Sequence, residues 1–248
     1  MRLSERSWRS YIDRLRTIND RAADAMTTWM RLHPDAGSEE LVEYAFAIAT
    51  RYGEAAASLA CEMYDRTAAA QGALVPPAEP AATATYQETA KAVQGTAKVS
   101  ETEVPQTVGR LVKQAGVDTT MQNAIRDGAE WAWIPHGDTC AFCITLASNG
   151  WQRASRAAMK GGHAEHIHAN CDCTYSVRFD RKSTVAGYDP GQYRRMYDQA
   201  EGSTPEQKIN AMRRAFYAEN AEEINAQKRS AYAKRREHES SAAEETEV

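Results

Sequence analysis

Three things are scarce or missing in this sequence, and each narrows the problem. No run of about 18 apolar residues occurs, so no segment is expected to span a bilayer, and the opening MRLSERSWRS lacks the continuous apolar core of a secretory signal. The chain is therefore expected to be soluble and cytosolic where it is made, with no membrane partner. Strong charge of one sign is also missing: 30 Lys and Arg against 34 Asp and Glu give a net charge of −4, which excludes a globally basic nucleic-acid binder and leaves only local basic patches. Cysteine is sparse, with five in 248 residues, so its distribution is informative. Cys61 stands alone in an alanine-rich helical pattern, whereas Cys140, Cys143, Cys171 and Cys173 fall in one stretch with His136, His163, His166 and His168. In a reducing compartment that clustering favours metal over disulfides.

The length suits one substantial core with helical extensions. From Ser4 to about Arg31, Trp8, Tyr11, Ile12, Leu15, Ile18, Ala22, Met26, Trp29 and Met30 recur at three- and four-residue steps, which predicts a long amphipathic helix. HPDAG breaks it. Ser38 as N-cap, with Glu39 and Glu40 in the first turn, predicts a second helix to about Ala70 that pairs with the first as an antiparallel hairpin. Residues 72–85, GALVPPAEPAATAT, carry three prolines and no apolar period, and read as a stiff extended linker. Short helices are predicted near 86–98, 104–115 and 118–128, with Pro105 in a first turn. WAWIP (131–135) reads as a strand, and CTYSVRF (173–179) as a strand with one buried face. Thr204, Pro205 and Gln207 predict a capped final helix running toward Glu237, before the acidic tail SSAAEETEV.

The chemistry is concentrated in the cysteine region. Tetrahedral zinc needs four soft or borderline ligands, and the C-x-x-C pair Cys140 and Cys143 supplies two from one tight turn. His168, Cys171 and Cys173 supply the rest, so five candidates compete for four places, at strand ends and in a loop. The 24 residues between the two halves are no obstacle, because loop closure entropy grows only logarithmically. Four protein ligands leave no open position for water, which points to a structural zinc rather than a Lewis acid. Other readings of the same residues are reduced core cysteines, a cysteine nucleophile with His168 as base, or a nuclease in which His166, His168 and Asn170 act beside Asp138 or Asp172. His163 and His166 read as loop residues.

WAWIPHGDTCAFCITLASNGW followed by HIHANCDCTYSVRF resembles the C-terminal module of phage MuF-like minor capsid proteins, or head morphogenesis proteins, in its actinobacterial-phage form. The pattern is an aromatic strand, a Gly/Asp turn, T-C-x-x-C, a variable loop, and H-x-x-C-x-C entering a strand. It falls on Trp133, Gly137, Asp138, Thr139, Cys140, Cys143, His168, Cys171 and Cys173. The family commonly has Pro after the histidine and Arg between the last cysteines, where this chain has Ala169 and Asp172.

The resemblance implies a low-copy protein of the phage head interior. It would contact portal and major capsid proteins and act in head assembly or DNA ejection. Its relatives are often called capsid maturation proteases, but no Ser-His-Asp set or single activated cysteine supports that label, and the chain reads as a non-enzyme. The expected architecture is a mainly helical α+β protein. It comprises a helical arm (1–71), a linker (72–85), a MuF-like zinc-stapled module with short strands (86–185), and a C-terminal helix with acidic tail (186–248). Lys228, Arg229, Lys234, Arg235 and Arg236 could touch DNA phosphates, although a charged helix end explains the same tract. The Trp8 and Trp29 stripe, and Trp131, Trp133 and Trp151, read as core.

Overall fold

The computed structural model of the chain describes residues 2–3, 5–136, 139–156, 172–222, 225, 226 and 229. After a two-residue strand β1 (Arg2–Leu3), helix α1 (Glu5–Leu32) buries Trp8, Tyr11, Ile12, Leu15, Ala22 and Met26 along one stripe, as the apolar period requires. Helix α2 (Ser38–Ala70) starts one residue off the expected cap. Gly37 takes the N-cap position, and its N–H donates to Glu40 Oε2 at 2.9 Å, so a carboxylate in the first turn replaces the serine hydroxyl. Trp29 stacks on Tyr44 beside the turn, and Arg14 reaches Glu62 about four turns away, which makes α1 and α2 antiparallel.

Helix α3 (Tyr86–Ala97) leads through a 3₁₀ turn into α4 (Val104–Arg126). Here the structure corrects the sequence reading, because the two helices expected over 104–128 are one. Gly116, in the gap left between those two, is a packing device. A Cβ there would lie 3.3 Å from the Ala56 carbonyl oxygen, so its absence lets α4 close on α2. Ala56 meets Gly116 and Tyr64 meets Asp127, so α2 and α4 run parallel. Val104, Val108 and Val112 are fully buried in a cluster shared with α1, α2 and α3.

Two parallel helices need a return crossing, and residues 72–85 provide it. Their extended backbone is held by side chains: Ala78 N–H donates to Asp65 at 2.8 Å, Glu79 N–H to Asn123 at 3.0 Å and Ala81 N–H to Thr119 at 2.9 Å. Arg126 donates to the carbonyls of Pro76 and Pro77. Thus side chains of α2 and α4 satisfy backbone groups that have no strand partner.

Strand β2 (Glu130–Ile134) lies between β3 (Gln152–Arg153) and β4 (Thr174–Arg178), antiparallel to both, with Trp131 opposite Val177 and Trp133 opposite Tyr175. The strand at 173–179 was expected to bury one face, but Thr174 and Ser176 are buried as fully as Tyr175 and Val177. The reason is that the sheet is covered on both sides. Trp131, Trp133, Tyr175 and Val177 pack on Tyr64, Val117 and Met121, while Ala132 and Ile134 join the cluster of Trp8 and Tyr188. A short strand β5 (Thr184–Val185) pairs in parallel with β1.

Two helices were not expected. Helix α5 (Ala141–Ser148) is apolar on every side and so shows no period. Helix α6 (Pro190–Gln199) is capped by Asp189, whose side chain accepts from Gly191 N–H. Helix α7 (Pro205–Glu219) begins with the predicted box: Thr204 accepts from Gln207 N–H, and the Gln207 side chain closes back on the Thr204 backbone. With seven α-helices among the described residues and one three-stranded antiparallel sheet, the chain is mainly helical.

Candidate metal centre

Cys140 and Cys143 do not sit in a loop. Cys140 is the N-cap of α5, with extended backbone, and Cys143 is the third residue of the helix. A first helical turn brings residues three apart to one side. Cys173 directly precedes β4. Because β2 and β4 pair with Ile134 opposite Thr174, the chain leaving β2 passes Cys173: His136 N–H donates to Cys173 Sγ at 3.4 Å, and the same sulfur lies 3.9 Å from the His136 carbonyl oxygen.

Cys143 and Cys173 are 1% and 0% exposed, and both belong to the cluster of Trp131, Trp133, Tyr175 and Met121. Half-buried Cys140 packs at its edge. Tyr175 sits edge-on to both tryptophans, with ring centroids 4.4 and 4.7 Å away, and burial drives its hydroxyl well above the ordinary tyrosine range. The site is therefore dry and rigid on its protein side. A cavity of about 290 Å³ opens beside it, lined in part by His136, Thr139, Tyr188 and Tyr193.

Three of the five sequence candidates thus gather in one cluster. His168 and Cys171 lie outside the described residues, as do Gly137, Asp138, His163, His166 and Asn170. Among the described residues, no three His, Cys, Asp or Glu side chains form a group able to hold a metal, and that includes Cys140, Cys143 and Cys173. Cysteine sulfur is a donor type that zinc accepts, and Cys173 Sγ accepts a backbone N–H bond that would orient it.

Asp172 is taken up elsewhere. Arg16 of α1 donates to it through Nε at 2.9 Å and through Nη2, and this pairing is the main cause of the raised pKa of Arg16. The residue that departs from the resembled motif is thus an ion-pair partner of α1. His136 escaped the sequence reading because its backbone, rather than its ring, meets the cysteine. Of the basic tract, Arg229 is helical and exposed; Lys228, Lys234, Arg235 and Arg236 lie outside the described residues.

A family model, described as VG15 protein, matches residues 2–200. The chain belongs to the VG15 protein family, a phage-related virion gene family. In this VG15-family protein the match takes in every element from β1 to α6, including both halves of the cysteine site. No curated protein and no solved structure matches it.

Proposed function

We propose that this VG15-family protein is a structural minor capsid or head-morphogenesis protein of a tailed phage, packed in the head near the portal, in which one zinc staples α5 to β4. The observation that carries this reading is that Cys143 and Cys173 share one buried apolar cluster with Cys140 at its edge, at the start of a helix and of a strand that are far apart in sequence. His168 and Cys171 compete for the remaining place. Bound there, zinc would supply cohesion rather than catalysis, as expected of a site with four protein ligands. The Cys140 and Cys143 sulfurs would hold the first turn of α5, and Cys173 would fix the entry to β4. Membership of a phage-related virion gene family and the MuF-like motif order support the role in the head, with portal and major capsid proteins as partners. Burial weighs against a capsid maturation protease, because Cys143 and Cys173 offer almost no surface to a substrate.

The test is metal content by mass spectrometry on protein purified without chelator, with thermal melts before and after stripping. One zinc per chain and a lowered melting temperature on stripping are expected. Cys140→Ser should lose the metal and melt lower, while Cys61→Ser should keep it. Metal-free protein in which one cysteine reacts unusually fast with an alkylating probe would overturn the staple and favour the protease.

A further inference from the structure

The N-terminal half of α1 and the facing turns of α2 carry a basic strip on a chain whose net charge is negative. Arg6, Arg9 and Arg14 of α1 and Arg66 of α2 are all exposed. Arg6, Arg9 and Arg14, with Ser10, Asp13 and Thr17, line one shallow depression, while Arg6, Arg14 and Arg66 line the adjoining groove between the helices. Glu62 organises this groove. Arg14 reaches it at 3.0 Å and Arg66 at 2.7 Å, so one carboxylate aligns two guanidinium groups and neutralises only one of them. Its carboxyl is held below the usual range, first by the Arg14 hydrogen bond. Both arginines keep more than half of their side chains in water, 54% and 68%.

We infer that this α1–α2 strip binds the phosphodiester backbone of DNA, without reading sequence. Arginines with neighbouring hydroxyls are the groups that contact phosphate and sugar, and such contacts position a duplex without specifying bases. The eight residue steps from Arg6 to Arg14 rise about 12 Å, enough to face about three phosphates at one charge per 3.4 Å of strand. An acidic protein partner fits less well, because the Arg6–Thr17 depression has no apolar lining residue and the apolar residues of the adjoining groove, Tyr11, Leu59 and Met63, are buried, which leaves little apolar surface for the centre of a protein interface. The inference stands apart from the zinc site and from the basic tract at 228–236.

The experiment is fluorescence anisotropy of the full chain with a short mixed-sequence DNA duplex over a range of salt. Wild type should bind with a log–log salt slope of roughly −2 to −3, at about −0.9 per phosphate neutralised. Arg6→Glu with Arg66→Glu should weaken binding at least about tenfold and flatten that slope by about two. Glu62→Gln, which removes the competing carboxylate, should tighten binding several-fold, a gain that unfolding would not produce. Arg194→Ala on α6 should leave binding unchanged. Failure of wild type to bind at low salt, equal binding by the reversed variant, or binding of polyglutamate as tight as that of DNA would each overturn the inference.

Discussion

Asp118 shows how a single residue can work against the fold that contains it. It lies on α4 near Gln114, which donates to it at 2.8 Å, and Glu88 of α3, and burial raises its carboxyl from the ordinary aspartate range to about 6. The folded chain therefore holds this proton more tightly than the unfolded one. Its contribution is fully favourable below about pH 4 and is lost as pH rises through about 6. Asp118→Asn keeps the acceptor for Gln114 and removes the buried charge. It should raise the melting temperature at pH 7, by an equivalent of at most about 3 kcal/mol, and change little at pH 4. Melts of both proteins at the two pH values test this; a variant less stable at pH 7 would sink it. Nothing in the sequence signals this residue, since an aspartate four positions after a glutamine looks like any solvated helix face.

Among elements, what the sequence told and what it hid divide along one line. Where a helix carries a strong period, as α1 does, or a capping side chain, as α7 does at its start, that end was legible to within a residue or two, but α7 ends at Glu219 with Asn220 as its C-cap, well short of the expected Glu237. Where tertiary contact decides, the sequence misled. The two helices expected over 104–128 are one, with Gly116 in the gap between them packed on Ala56 of α2, and α5 has no period because all of it but Phe142 and Thr145 is buried. The capping pair Asp189 and Pro190 was an available signal for α6 and went unread. The segment 72–85 was rightly read as lacking regular structure, yet no periodicity could reveal that α4 holds it along its length. Asn123 is the centre of that hold: it accepts from Glu79 N–H and donates to the carbonyls of Glu79 and Thr119 at 2.8 and 2.7 Å, while itself 1% exposed. Asn123→Ala strands the Glu79 N–H and leaves the Glu79 carbonyl with Gln122 alone, and should destabilise the chain by about 1 to 3 kcal/mol. Limited proteolysis should then cut first within 76–81; unchanged melting with no new cleavage there would show that the crossing does not depend on this side chain.

At the scale of the whole molecule, spacing singles out candidate ligands in the sequence but says little of the core around them. The C-x-x-C spacing and the C-x-C strand entry pointed to Cys140, Cys143 and Cys173 without any knowledge of packing, because ligand geometry imposes short-range spacing on the sequence. The division into an arm, a linker and a module came from composition, and composition does not record which faces meet. One buried cluster joins Trp8, Ile12 and Met26 of α1, Val42 of α2, Val93 of α3, Val108 and Val112 of α4, and Ile134 of β2. A second joins Tyr64 of α2 to Met121, Trp133 and Tyr175. The same α2 and α4 therefore contribute to both, and Tyr64 links them further by donating to Asp127 at 2.8 Å. Neither cluster can lose α2 without exposing the other. Calorimetry of the full chain should accordingly give one cooperative transition for residues 2–200 rather than separate meltings of the arm and the module, with calorimetric and van't Hoff enthalpies in agreement. A fragment restricted to 86–185 would leave Val104, Val108 and Val112 without α1 and α2 and should fail to melt cooperatively. Two resolved transitions, or a folded 86–185 fragment, would show instead that the boundary suggested by the prolines at 76, 77 and 80 is a division of the fold.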